Sequence, residues 1–313
     1  MNAVLIAMSH SPLLDKVDLP TEIDREIEAA FSHARDFANA FEPEVVVIFS
    51  PDHYNGFFYR LMPQFCIGTS AHGVGDYGTT AGPLNVPQEL ASTLGASILD
   101  AGVDVAVSMD MAVDHGTVQP LEILFGDCAR PRVVPIFVNS VAPPFSPMAR
   151  VRALGEAVGK FVASTGMRTL FISSGGLSHD PPVPRLTTAT EAQHELIMGR
   201  VEATAETRAV REERVIAAAE RHVRGEPAQG QAIAPEWDRK LLSYLHNGDL
   251  LPLDEWTSDE MACAAGNSAH EVRTWLAGHA ALGAVGDYEV EHAYYRPVEE
   301  LLTGFGVQTL RLK

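Results

Sequence analysis

A chain of 313 residues, 46% hydrophobic and 20% charged, can bury a sizeable core and is too apolar to stay disordered. Its formal charge of −18 argues against nucleic-acid binding, and an anionic ligand would need local positive groups or a metal ion to offset that field. Three scattered cysteines, Cys66, Cys128 and Cys263, with no CxxC pair, no basic leader and no apolar run of about 18 residues, argue against a disulfide framework, a zinc ribbon or a membrane span and predict a cytoplasmic protein.

Residues 2–8 read as a short buried strand. Residues 21–41 carry Ile23, Ile27, Ala30, Phe31, Ala34, Phe37 and Phe41 at helical spacing, and Pro43 ends that helix. The near-continuous apolar run 44–50 predicts a strand buried on both faces. Residues 51–87 read as irregular. A helix is predicted over 87–101, with Pro at its start and Gly102 at its end. Strand 103–109, a short helix over 120–125 and strand 132–138 follow. Residues 148–164 read as a helix and 168–173 as a strand.

Beyond a proline-rich loop, residues 187–224 are polar and carry one or two surface helices, with GEPAQGQ (225–231) as a breaker. Helices are predicted over 236–247, 257–265 and 268–282. The stretch 288–311 reads as irregular and aromatic at first. Alternating strands and helices through residue 185 predict an α/β fold, with a central, largely buried β-sheet flanked by helices and a helix-rich C-terminal third. No repeat or linker divides the chain, so residues 1–313 are expected to form a single catalytic domain.

Four strand-like runs are each followed within a few residues by a histidine: His10, His53, His115 and His179. Ligands of open α/β sheets bind beyond the carboxyl ends of the strands, so four imidazoles delivered there suggest a built site. His10 and His53 follow early buried strands and are the better metal candidates. Asp52 is placed to orient His53 or to ligate directly. Two histidines with one carboxylate form the facial set that holds Fe(II) and leaves positions open. Glu271 is a candidate for that carboxylate, although Ser268 and Glu271 also have the spacing of a capping box. His270 beside it reads as a decoy for a ligand.

His115 and His179, set in longer loops beside Asp, Gly or Ser, suit proton transfer near neutral pH, and Asp114 is placed to orient His115. GVGDYG (73–78) matches a dinucleotide fingerprint but lies outside a strand–turn–helix context and reads as a flexible loop. GGLSH does not make a nucleophile elbow.

The set SHSP (9–12), SPDHYNGFF (50–58), VDHG (113–116), SGGLSHDPP (174–182), His270–Trp275 and YYRP (294–297) resembles the class III extradiol ring-cleaving dioxygenases over nearly the whole chain. The resemblance implies non-haem Fe(II) held by His10, His53 and Glu271. It also implies His115 and His179 as the acid/base pair, with His115 taking a phenolic proton and His179 returning one. The implied substrates are O2 and a catechol, here one bearing a propionate or acrylate side chain, and a homo-oligomer is expected. For the side-chain carboxylate, Arg185, Arg296 and Arg60 are candidates; for the ring, Tyr54, Phe57 and Phe58. Asp180, where the family pattern can have Gln, is expected to add negative charge near the site. The rival readings are an extradiol enzyme for another catechol, a metal-dependent hydrolase, and a non-catalytic metal-binding protein on the same fold.

Overall fold

The computed structural model describes residues 2–201, 204–226 and 230–313. In chain order the elements are β1 (Ala3–Met8), α1 (Thr21–Phe41), β2 (Val45–Ser50), β3 (Phe65–Gly68), β4 (Ala71–Val74), β5 (Ala81–Pro83), α2 (Gln88–Asp100), β6 (Ala106–Ser108), β7 (Met111–Val113) and α3 (His115–Phe125). They continue with β8 (Val133–Val138), α4 (Met148–Thr165), β9 (Thr169–Ser174), α5 (Glu191–Ile197), α6 (Ala205–Val223), α7 (Pro235–Asn247), α8 (Ser258–Ala265), α9 (Val272–Val285), β10 (Tyr288–Val298) and β11 (Thr303–Leu312). Residues 227–229 of the expected breaker at 225–231 fall outside the described residues.

The main sheet has the order β10-β11-β1-β9-β2-β8-β3-β6. Its centre, β1-β9-β2-β8, is parallel, so these strands end at one edge. Side chains alternate across it. Leu5, Ala7, Val47 and Phe49 enter a core shared with α2, α4 and α9, whereas Val4, Ile6, Val46 and Ile48 enter one shared with α1 and α3. Both faces are covered, which is why these strands read as unbroken apolar runs. The fold is α/β with a central sheet flanked by helices, as the sequence predicts.

Three sequence expectations are corrected. Residues 288–311 are not irregular but form the hairpin β10–β11, with β11 buried between β10 and β1. Pro297, the glycines at 304 and 306, and the buried Gln308 and Thr309 interrupt its apolar pattern. The 51–87 segment contains β3, β4 and β5, each of three or four residues and too short to show a period. The strand expected over 103–109 shrinks to β6 at the sheet edge, and the chain turns back through β7, which pairs with β4 in a separate small sheet β5-β4-β7.

Helix α9 lies deep in the protein and is held tightly against α4. A Cβ on Gly155 would sit 2.2 Å from the Ala277 carbonyl oxygen, and one on Gly159 would sit 2.1 Å from that of Ala281. Backbone on α9 faces both positions, so no rotamer change relieves the overlap. Gly155→Val is expected to destabilise the protein by roughly 3 kcal/mol, read as a lower urea midpoint. An unchanged midpoint would show that the two helices separate freely. The packing fixes the position of Glu271, because α9 begins directly after it.

Candidate active site

The carboxyl ends of β1, β2 and β9 deliver His10, His53 and, through the Gly175-Gly176 turn, His179 to one edge. The turn needs its glycines: a Cβ on Gly175 would lie 2.9 Å from Glu271 and one on Gly176 2.8 Å from the His179 ring. His115 arrives differently, from β7 in the small sheet, as the first residue of α3. Glu271 ends a short 3₁₀ turn, Ala269–Glu271, and comes from the opposite side of the chain order. All five side chains meet, and each residue is at least nine-tenths buried except His53, which is half-buried.

Each imidazole has its Nδ1 committed to a partner. His10 Nδ1 lies 2.9 Å from the Ser174 hydroxyl, whose own proton is given to the Gly116 carbonyl oxygen, so His10 is the donor. His53 Nδ1 donates to Asp114 Oδ2 at 3.0 Å, and His115 Nδ1 donates to Asp76 Oδ2 at 2.5 Å. His179 Nδ1 donates to the Leu177 carbonyl oxygen at 2.8 Å. Every Nε2 is thereby left to the interior of the site.

Those nitrogens converge. His53 and His179 place Nε2 at 3.3 Å from Glu271 Oε1, and His10 places its own at 3.6 Å from Oε2. His115 joins His10 and His53 in a tight group, with ring centroids 5.3 and 4.6 Å away, and its Nε2 meets no hydrogen-bond partner. In the tautomers set by Nδ1, a neutral Nε2 and a carboxylate oxygen are both acceptors, so each contact needs a proton or a cation between them. Ligand atoms about 2.1 Å from one ion, at roughly 90–110° to one another, lie about 3.0–3.4 Å apart. The residues present therefore suit a divalent ion between imidazole nitrogens and a carboxylate.

Electrostatics agree with that donor set for Glu271 and His10, whereas in the absence of a cation His53 is drawn toward its protonated form. Burial would raise Glu271, but His179 and His10 beside it hold its carboxyl well below the usual range. Burial pushes His10 down to about 3, against the pull of Glu271, so it stays a neutral lone-pair donor. Burial also works against protonation of His53 and His179. For His53 it is outweighed by Asp114 together with Glu271, and for His179 by Glu271 together with the Leu177 carbonyl, so both are raised.

Several sequence readings change. Asp114 does not orient His115; it caps α3 through Gly116 N at 2.9 Å and orients His53. Asp52 neither ligates nor orients His53. Its carboxylate accepts the backbone N–H groups of Asn55, Gly56 and Phe57 and shapes the loop. The partner of His115 is Asp76, inside GVGDYG, which takes both the ring Nδ1 and the backbone N–H of His115. No periodicity marks an acid 39 residues away, and only the oddity of a lone Asp in a glycine loop could have drawn attention to it.

The capping box at Ser268 does not form, and Glu271 Oε2 instead accepts Gly176 N–H at 2.8 Å. His270 points elsewhere, to Arg273. The Asp180 charge is neutralised by Arg185 at 2.6 Å.

Above the cluster opens a cavity of about 690 Å³, walled by apolar side chains such as Leu13, Pro182, Val183 and Val215 and by one face of α6. Tyr54 lines it, whereas Phe57 stacks on Phe137 in the core and Phe58 does not reach the cavity. Arg296 is bound to Glu26, and Arg60 lies outside the cavity wall.

Comparison with known proteins gives a consistent result. Residues 4–306 match the family described as the catalytic LigB subunit of aromatic ring-opening dioxygenase. A relative from Rhodococcus rhodochrous is 52% identical over 100% of this chain and 99% of its own, and is named 2,3-dihydroxyphenylpropionate/2,3-dihydroxicinnamic acid 1,2-dioxygenase. Relatives of the same name from Mycolicibacterium vanbaalenii and Rhodococcus globerulus are 54% and 49% identical, over 97% and 100% of this chain and 96% and 99% of theirs.

Proposed function

The chain belongs to the LigB family of aromatic ring-opening dioxygenases, and from that premise we propose that it opens the rings of 2,3-dihydroxyphenylpropionate and 2,3-dihydroxycinnamate by extradiol cleavage with O2. The observation that carries the reading is the Glu271 carboxylate faced by imidazole Nε2 atoms at 3.3–3.6 Å on the floor of the cavity. Cavities of a few hundred Å³ suit ligands of this size.

His10, His53 and Glu271 would hold Fe(II). When bound, the ion orients catechol and dioxygen together and stabilises the charge that develops. The Ser174 and Asp114 contacts fix the ring orientation of His10 and His53, so the donor set is organised before any ligand arrives. His115 accepts a phenolic proton at its unpaired Nε2, and the Asp76 carboxylate compensates the charge that the ring takes on. His179, facing Glu271, carries a proton and delivers it to the oxygen freed when the O–O bond breaks, and that oxygen re-enters the product when the ring opens. The apolar wall excludes water from these transfers.

The 313 residues act as one catalytic domain, since the first and last strands pair in a single sheet. Cys66, Cys128 and Cys263 are free thiols, in keeping with a cytoplasmic setting, and no described helix is long and apolar enough to cross a membrane. Assembly into a homo-oligomer belongs to the same reading. The test is anaerobic reconstitution with Fe(II), then air and 2,3-dihydroxyphenylpropionate. A yellow ring-opened product and one O2 consumed per catechol are expected. Bound iron without product or O2 uptake would overturn the reading, and oxygen-independent turnover of an ester would point to a hydrolase.

A further inference from the structure

We propose that Arg211 receives the side-chain carboxylate of the catechol and sets the preference for acid-bearing catechols over uncharged ones. The proposal rests on the reaction assigned above and adds the group that recognises its substrate. In a protein of formal charge −18, an anion needs a fixed local cation to enter a buried site. The arginines expected from sequence do not provide one, being paired with Asp180 or Glu26 or lying away from the cavity.

Arg211 does. It lines the cavity from α6 and is half-buried. Its guanidinium is held by two uncharged acceptors, the Tyr54 carbonyl oxygen at 3.2 Å and Asn55 Oδ1 at 2.7 Å. No described carboxylate lies within ion-pair distance of it, so its charge is positioned but not neutralised. Of the five N–H donors of a guanidinium, one on each Nη is used, and the rest remain for the two-point contact that arginine makes with a carboxylate.

The anchor is also registered to the chemistry. Asn55 donates from Nδ2 to Asp114 Oδ2 at 3.2 Å, and that same oxygen orients His53. A chain of hydrogen bonds thus fixes the cation relative to the proposed metal ligands, with the apolar wall beside it for the hydrocarbon linker. Arg214 also lines the cavity, but it is exposed and has no such tether, so water competes for it.

The test compares iron-loaded wild type, Arg211→Gln, Arg211→Lys and Arg214→Gln on 2,3-dihydroxyphenylpropionate and 3-propylcatechol. In R211Q the ratio of kcat/KM for acid over neutral catechol is expected to fall roughly 10²-fold, mainly through KM, with part of it restored in R211K and little change in R214Q. Calorimetry of the iron-free proteins with 3-phenylpropionate gives a readout independent of turnover, and Kd is expected to rise at least about 10-fold in R211Q. Parallel losses on both catechols would show that Arg211 only braces the His53 loop. An unchanged ratio, or one that moves in R214Q instead, would also overturn the proposal. If wild type opens neither catechol, the assigned reaction fails, and the calorimetry still decides whether Arg211 binds the carboxylate.

Discussion

Glu271→Gln is expected to leave a folded protein that no longer retains Fe(II), its affinity lowered more than about 10²-fold, beyond what loss of an outer partner of a metal ligand costs. The substitution keeps the size of the side chain. Its amide oxygen can still accept the Gly176 N–H, now 2.8 Å from Oε2. The amide nitrogen then replaces the oxygen that His53 and His179 face at 3.3 Å, and it donates where the carboxylate only accepts. A buried anion is exchanged for a neutral donor facing imidazole lone pairs. At a pH high enough for His53 and His179 to be neutral, the iron-free variant should therefore unfold at a urea concentration no lower than that of the iron-free wild type, even as metal binding is lost. A residue serving only to cap α9 would behave the other way, with iron retained and stability reduced. Iron content after anaerobic reconstitution and desalting, beside the unfolding midpoint, separates the two. Full iron occupancy in Glu271→Gln would remove Glu271 from the ligand set.

How far the site could be read from the chain depends on which elements build it. His10, His53 and His179 follow β1, β2 and β9, which are neighbours in the parallel centre of the sheet. Buried parallel strands are long and uniformly apolar, so their ends are visible in sequence, and the edge they share is where a ligand belongs. His115 followed an apolar run as well, but its delivering strand is β7, three residues long and in another sheet, and the run before it is an edge strand. The residue was found while the reason for its position was not. Asp76 and Ser174 were missed as partners because they act across 39 and 164 positions, and no local pattern marks a carboxylate or hydroxyl that must meet a particular ring nitrogen. Glu271 shows the converse. Its local spacing fits a helix cap, yet the tertiary structure turns its carboxylate into the histidine cluster, and only the resemblance separated the two readings. At the C-terminus, Gln308 and Thr309 are buried in β11 between two partner strands, where backbone pairing is supplied on both sides and polarity no longer signals exposure.

Replacing His115 or His179 by Gln is expected to lower turnover roughly 10²–10⁴-fold with iron content unchanged. The two rings reach the cluster with different partners, and that difference makes the outcome informative. His115 lies as close to His10 and His53 as ligands of one ion would, and its Nε2 is unpaired. A proton acceptor and a fourth ligand both fit that position, but they part in the variant: loss of the acceptor spares the metal, and loss of a ligand does not. Asp76→Asn sharpens the comparison. It keeps the side chain beside His115 but removes the charge that compensates an imidazolium, so a base at His115 should lose activity in this variant too, with iron again retained. His179 relies on the neutral Leu177 carbonyl at Nδ1 and faces Glu271 through Nε2, so burial is overcome mainly by that carboxylate, with help from the carbonyl. Once a cation occupies the Glu271 side, the attraction that favours a proton on His179 weakens, and the ring becomes readier to release it, as a general acid must. Removing His179 should therefore affect ring opening after the catechol is bound, lowering kcat more than it raises KM. Iron lost from His115→Gln alone would make His115 a ligand, and iron lost from both variants would refute the division into metal-holding and proton-handling pairs.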